Sequence, residues 1–183
     1  YGDEAHGAYV EAMNPASGEL IDHATLARPQ LEWRWSDAPE PEPVVELELG
    51  GGGECRFEVH ERGPAQLRCE PVGAPRWAHE LDGDFVGRGA LASDGQRLVL
   101  ISWSRIASGA RARAWTLADG APLWDRQLEG LGPQDHSKYS NLIQLEFADR
   151  LVIVRGQESH GRYLEALELA TGALRWTIAW PAF

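Results

Sequence analysis

The sequence predicts an all-β fold of antiparallel, four-stranded units repeated along the chain, and three observations carry that reading. One ending recurs, as Gly73-Ala74-Pro75-Arg76-Trp77, Gly120-Ala121-Pro122-Leu123-Trp124 and Gly172-Ala173-Leu174-Arg175-Trp176, with the tryptophans 47 and 52 residues apart. Short apolar, β-branched runs bounded by turn residues stand upstream of the last two endings. No window carries an apolar stripe at helical spacing long enough to hold a helix.

The elements follow in order. His6-Gly7-Ala8-Tyr9-Val10-Glu11-Ala12 reads like His160-Gly161-Arg162-Tyr163-Leu164-Glu165-Ala166, and the match continues through Ala16-Ser17-Gly18-Glu19-Leu20 against Ala170-Thr171-Gly172-Ala173-Leu174. Eight of fifteen positions are identical. Residues 1–27 therefore read as a half-unit of two strands, Ala8–Met13 and Leu20–Leu26, around a turn at Asn14–Gly18. An isolated hairpin is marginal in water, so this one is expected to pair with strands outside the sequence or with a symmetry mate, in a working unit larger than one 20.2 kDa chain. Residues 28–80 form a degenerate unit that matches only at its end, Val72–Trp77. Its stretch Ser36–Pro43 is acidic and proline-punctuated, which excludes a central strand and reads as an exposed loop. Gly50–Gly53 reads as a hairpin loop, without the helix or the Lys-Ser/Thr of a phosphate loop.

Cys55 and Cys69 are the two cysteines. Cys55–His60 and Pro64–Cys69 flank Glu61-Arg62-Gly63, a three-residue hairpin loop with glycine at its left-handed position. That register sets 60 opposite 64 and 55 opposite 69, on a non-hydrogen-bonded pair where side chains lie closest. It predicts a cross-strand disulfide, and a disulfide implies an oxidising compartment.

Residues 81–128 form the next unit. Ser93-Asp94-Gly95 is a hairpin turn and Gln96–Trp103 a buried strand. Then Ala112, Ala114 and Thr116 interleave with Arg111, Arg113, Trp115 and Leu117, Ala118-Asp119-Gly120 turns the chain, and Leu123–Leu128 returns. Residues 129–183 give the last unit and a C-terminal tail. Its strand Arg150–Val154 precedes a segment, Arg162–Gly172, that aligns without gaps with Ala110–Gly120. Units of about 50 residues with four strands and a recurring Trp are propeller blades: about three and a half blades, an incomplete ring. Gly18, Gly73, Gly120 and Gly172 then make the turn between the last two strands, and Trp77, Trp124 and Trp176 pack between blades.

Composition limits the partners. The chain is 43% hydrophobic and carries 17 basic against 28 acidic residues, a net charge of −11. That disfavours nucleic acid and anionic membrane surfaces. Apolar runs reach four residues, against the twenty or so of a membrane span. Residue 1 is Tyr, and no basic region leads into an apolar one, so either a leader was removed or the chain is part of something longer.

No catalytic, cofactor-binding or metal residue is assigned. The six histidines (His6, His23, His60, His79, His136, His160) lack ligand spacing. Asp135-His136-Ser137 puts three catalytic residue types side by side, whereas a triad converges from distant positions. His6 and His160 recur at equivalent repeat positions as a turn feature. Asp82-Gly83-Asp84 lacks the remaining oxygens of a calcium loop.

The pattern Leu164-Glu165-Ala166-Leu167 … Ala170-Thr171-Gly172-Ala173-Leu174-Arg175-Trp176 resembles the pyrroloquinoline-quinone-type propeller repeat, and Tyr9–Leu20 and Ala112–Trp124 match it too. One branch of that family, the quinoprotein dehydrogenases, holds quinone and Ca²⁺ and carries a vicinal cysteine pair, which this chain lacks. The resemblance therefore implies the non-catalytic branch: outer-membrane assembly lipoproteins and sensor propellers of receptor kinases. The expectation is a cofactor-free interaction or scaffold subunit of a periplasmic or extracellular assembly, its propeller completed by a protein partner or by further copies or segments. A fragment of a quinone-dependent dehydrogenase and a ligand-sensing receptor ectodomain stay open as alternatives.

Overall fold

The computed structural model describes residues 2–4, 7–13, 20–26, 44–60, 63–81, 89–103, 110–129, 142–158 and 161–181, and every regular element among them is a strand. The first sheet holds β1 (Gly2–Glu4), β2 (Gly7–Met13) and β3 (Leu20–Leu26) in the order β1-β2-β3. The second holds β4 (Val44–Glu48), β5 (Glu54–Glu58), β6 (Ala65–Glu70) and β7 (Trp77–Leu81). The third holds β8 (Ala90–Ser93), β9 (Arg97–Trp103), β10 (Ala110–Thr116) and β11 (Pro122–Gln127). The fourth holds β12 (Leu142–Ala148), β13 (Leu151–Glu158), β14 (Gly161–Glu168) and β15 (Leu174–Pro181).

Each four-stranded sheet is an antiparallel meander in chain order. The leading strands lie side by side from sheet to sheet, β4 against β8 and β8 against β12. Meanders with their first strands gathered inward are propeller blades. The fold is all-β and built of such blades.

The N-terminal segment holds one strand more than expected. Two strands were expected there, and a third, β1, pairs with β2 through Gly2↔Tyr9 and Glu4↔Gly7. The pairing that β2 needs is supplied within the chain, and β3 lies alongside β12. The repeat also shows in the backbone. A bulge falls between Ala12 and Met13, between Ala114 and Trp115, and between Ala166 and Leu167. The second sheet lacks it: Cys69 pairs directly with Trp77, where the later sheets pair Ala114 with Trp124 and Ala166 with Trp176. Its Gly-to-Trp spacing survives while its register has moved.

Alternation decides which face each side chain takes. On β10, Ala110, Ala112 and Ala114 are buried toward the fourth sheet, where they join Val99, Ile101, Val152, Val154, Tyr163 and Leu167 in one core. Trp115 faces the other way and joins Leu98, Leu100, Phe57, Leu67 and the two cysteines in the core between the second and third sheets. A third cluster, Leu151, Ile153, Leu164 and Ala166, lies on the far face of the fourth sheet, with Trp176 and Ile178 packed against it.

Candidate interaction groove

The predicted cysteines are bonded to each other, and Cys55 lies directly opposite Cys69 in the β5–β6 register. Gly63 has a φ of 101° in the connecting loop. Both half-cystines are buried, at 0% and 1% exposure, so the bond sits inside the core between the second and third sheets.

The recurring tryptophans reach across to the following sheet. Trp77 on β7 donates its indole N–H to Leu117 O at 2.9 Å, and its ring covers Gly120. Trp124 on β11 donates to Leu169 O at 3.0 Å, and its ring covers Gly172. A Cβ at Gly120 would come within 2.6 Å of the Trp77 ring, and one at Gly172 within 2.7 Å of the Trp124 ring. Those turns must therefore be bare as well as left-handed. Gly73 has the same positive φ, yet nothing lies within 4 Å of where its Cβ would be. Trp176 packs on its own sheet's outer cluster. Gly18 lies outside the described residues, as do His6, His160, Asp82-Gly83-Asp84, Asp135-His136-Ser137 and Ser36–Pro43.

The first of these joints has a second anchor. His79, one turn of the pleat beyond Trp77, stacks on Trp115 at a ring separation of 5.7 Å, and its Nε2 lies 2.7 Å from Gly120 O. A carbonyl only accepts, so Nε2 carries the proton and donates.

Between the second and third sheets a groove of about 510 Å³ opens. Glu80 and Leu81 form one wall; Arg111, Arg113, Trp115, Leu123 and Asp125 line the rest. The ionic part is well defined. Arg111 holds Asp125 through a fork, Nε to Oδ1 at 3.0 Å and a terminal nitrogen to Oδ2 at 2.9 Å. Arg113 Nε reaches Oδ2 at 3.2 Å, and its NH1 donates to Ser102 Oγ at 3.3 Å. Burial pulls the Arg113 guanidinium below its ordinary pKa, and Asp125 opposes that shift. Arginine stays charged in proteins, so the direction records a desolvation cost that Asp125 offsets. Leu123 is 40% exposed on the rim.

Sequence reading did not assemble this site. The alternation of Arg111 and Arg113 on one strand face was legible, but their partner Asp125 comes from the next strand. The bulge at Ala114/Trp115 shifts the pairing that would have to be counted back from the Asp119-Gly120 turn. Nothing on this groove wall joins a nucleophile, a general base and an electrophile-binding pair. Its side chains can make salt bridges and apolar contacts.

No protein-family model and no curated protein matches the chain. A solved structure does. The crystal structure of BamB from Moraxella catarrhalis is similar with a TM-score of 0.47 and 18% identity, over 76% of this chain. The match spans 38% of the BamB chain, well under half its length.

Proposed function

We propose that the chain is a non-catalytic propeller module that scaffolds a protein assembly outside the cytoplasm. The observation that carries this reading is how the recurrent residues are used. Trp77 and Trp124, with Gly120 and Gly172, are consumed in joints between sheets, so the repeat is architecture. Among the described residues a groove of apolar and paired ionic side chains stays open at the surface, a mixture that suits a binding face. The Cys55–Cys69 bond supports the compartment, because such bonds persist in the periplasm or at the cell exterior and are rare in reducing cytosol. The acidic balance fits protein partners better than nucleic acid.

The test is the native complex. Protein purified from its source without reductant should show a mass two daltons below that of the dithiol and should sediment in complex with a protein partner. A solitary chain with two alkylatable thiols would refute both the scaffold role and the compartment.

A further inference from the structure

We infer that the chain's own N-terminal sheet, β1–β3, occupies the outer face of the fourth sheet, so that the blades stack in the order second, third, fourth, first and the second sheet is the free end of the stack. Burial on the fourth sheet carries this. Ile153 stands opposite Ala166, and Arg155 opposite Leu164, on one face of β13 and β14. Alternation turns that face away from the third sheet, which Val154 and Tyr163 meet from the other face. Ile153 and Ala166 are nevertheless 0% exposed, Leu164 5% and Arg155 6%. The middle of an uncovered sheet face is open to water, so a further layer lies on this one. Its place is marked at β12, which lies against β8 of the third sheet and also against β3. The series of neighbouring strands β4, β8, β12 thus runs on into β3. Like each of them, β3 stands at one end of its own sheet's order, where the leading strand of a further blade belongs.

The sequence of the covering sheet fits that place. β14 carries Tyr163 and Glu165 on the face it turns to the third sheet, and both are buried. β2 repeats them as Tyr9 and Glu11, the residue types with which a blade of this chain meets the blade before it.

The second sheet is no alternative, although it follows the first directly in the chain. Its outer face presents Glu46, Arg56 and Arg68 opposite one another, with Glu48, Glu54 and Glu70 in the next row. The Glu46 side chain is 64% exposed and that of Arg56 45%. A sheet laid there would strip water from these charges, three of them like charges side by side. Residues 27–43, which connect the first two sheets, reach about 60 Å when extended, against a diameter of roughly 40 Å for a domain of this size. The connection is therefore long enough to carry the first sheet to the fourth.

Hydrogen–deuterium exchange of the whole chain, read by mass spectrometry, tests the placement. Amides of β1–β3 should be protected, and their protection should not change on dilution. Ile153→Thr and Leu164→Thr, which put a hydroxyl on the covered face, should each lower it by roughly tenfold or more while β4–β11 keep theirs. Arg68→Thr, in the middle of the second sheet's outer face, should leave β1–β3 unchanged. Where a threonine variant fails to fold, Ile178→Thr, on the same face but only partly buried, is read in its place. Unprotected β1–β3 amides in the parent protein, equal protection in the parent and the fourth-sheet variants, or a loss in Arg68→Thr as large as theirs would overturn the placement. Protection lost on dilution, with a dimer seen by light scattering, would overturn it in favour of a second copy as the occupant.

Discussion

Replacing Gly120 with alanine separates backbone strain from the joint between sheets. Two costs arise at this position. The first is conformational: at a φ of +71° an L-residue is strained by roughly 1 kcal/mol. The second is steric. The new Cβ would sit 2.6 Å from Cδ2 and 2.8 Å from Cε3 and Cγ of Trp77. These are atoms of a rigid fused ring, so the indole must move. Moving it gives up the hydrogen bond to Leu117 O at 2.9 Å, worth about 1 kcal/mol net, together with packing over the turn. Gly120→Ala should therefore cost about 2–4 kcal/mol. Gly73→Ala is the control within the same chain. Its φ of +72° is the same, but its Cβ meets nothing within 4 Å, so about 1 kcal/mol is expected. Equilibrium unfolding in urea, read by far-UV circular dichroism, would give both values. Adding Trp77→Ala closes the cycle: in that background the Gly120→Ala cost should fall to the backbone component alone. Equal losses for Gly73→Ala and Gly120→Ala would refute the reasoning, and so would a Gly120→Ala cost that survives removal of Trp77.

Three further outcomes are expected. Replacing both Cys55 and Cys69 by alanine should cost roughly 3 kcal/mol, the chain-entropy value for a loop of this size, and the bond should resist dithiothreitol until denaturant opens the core around it; rapid reduction of the native protein would contradict its burial. Trp176→Ala should cost about 1 kcal/mol less than Trp124→Ala, because Trp124 donates across a joint to Leu169 O, and comparison of the two unfolding midpoints checks it. Glu146 and Arg155 approach to 3.7 Å on a mostly buried face, and burial raises the Glu146 pKa more than Arg155 lowers it. A carboxyl whose folded pKa is raised binds its proton more readily folded than unfolded. Acidification from that raised pKa into the ordinary carboxylate range thus stabilises the fold through this group, and Glu146→Gln should remove that part of the pH profile. Either single replacement of the pair should cost about 2 kcal/mol, and Glu146→Leu with Arg155→Met should be no worse than the parent; strictly additive losses would count against the pairing.

The strands were legible because apolar runs and turn glycines are local signals. The hairpin of Cys55 and Cys69 was legible down to its register, since one glycine loop fixes every pair above it. β1 was missed because three residues, Gly2–Glu4, carry no alternation to read. The bulges were missed because an extra residue leaves composition unchanged and alters only the pairing count. That is also why Arg111, Arg113 and Asp125 did not come together on paper. His79 stood as one of six unspaced histidines; its bond to Gly120 spans 41 residues and two sheets, and the matching position of the next repeat, Arg126, bonds instead to Glu129 on its own side. Long-range pairs between sheets are set by how the sheets stack, which periodicity does not encode.

The two joints show how a small change in the repeat makes a surface. The third sheet presents Ala110, Ala112 and Ala114 to the fourth, and all three are buried. Small side chains let the facing sheet approach closely, so Tyr163, Val154 and Leu167 fill the space and the joint closes along its length. Tyr163 even lies across Gly156, in the volume a side chain there would take. The opposite face of the same strand carries Arg111, Arg113 and Trp115. Near the turn Trp115 meets His79 and Leu117 meets the Trp77 indole, and the second sheet is held tightly. Away from the turn Arg113 is largely buried against Asp125, while Arg111 keeps about a third of its side chain exposed beside the groove. The groove lies beside two long cations alternating on one strand and next to a turn locked by Trp77, so the residues that hold the blades together also border it.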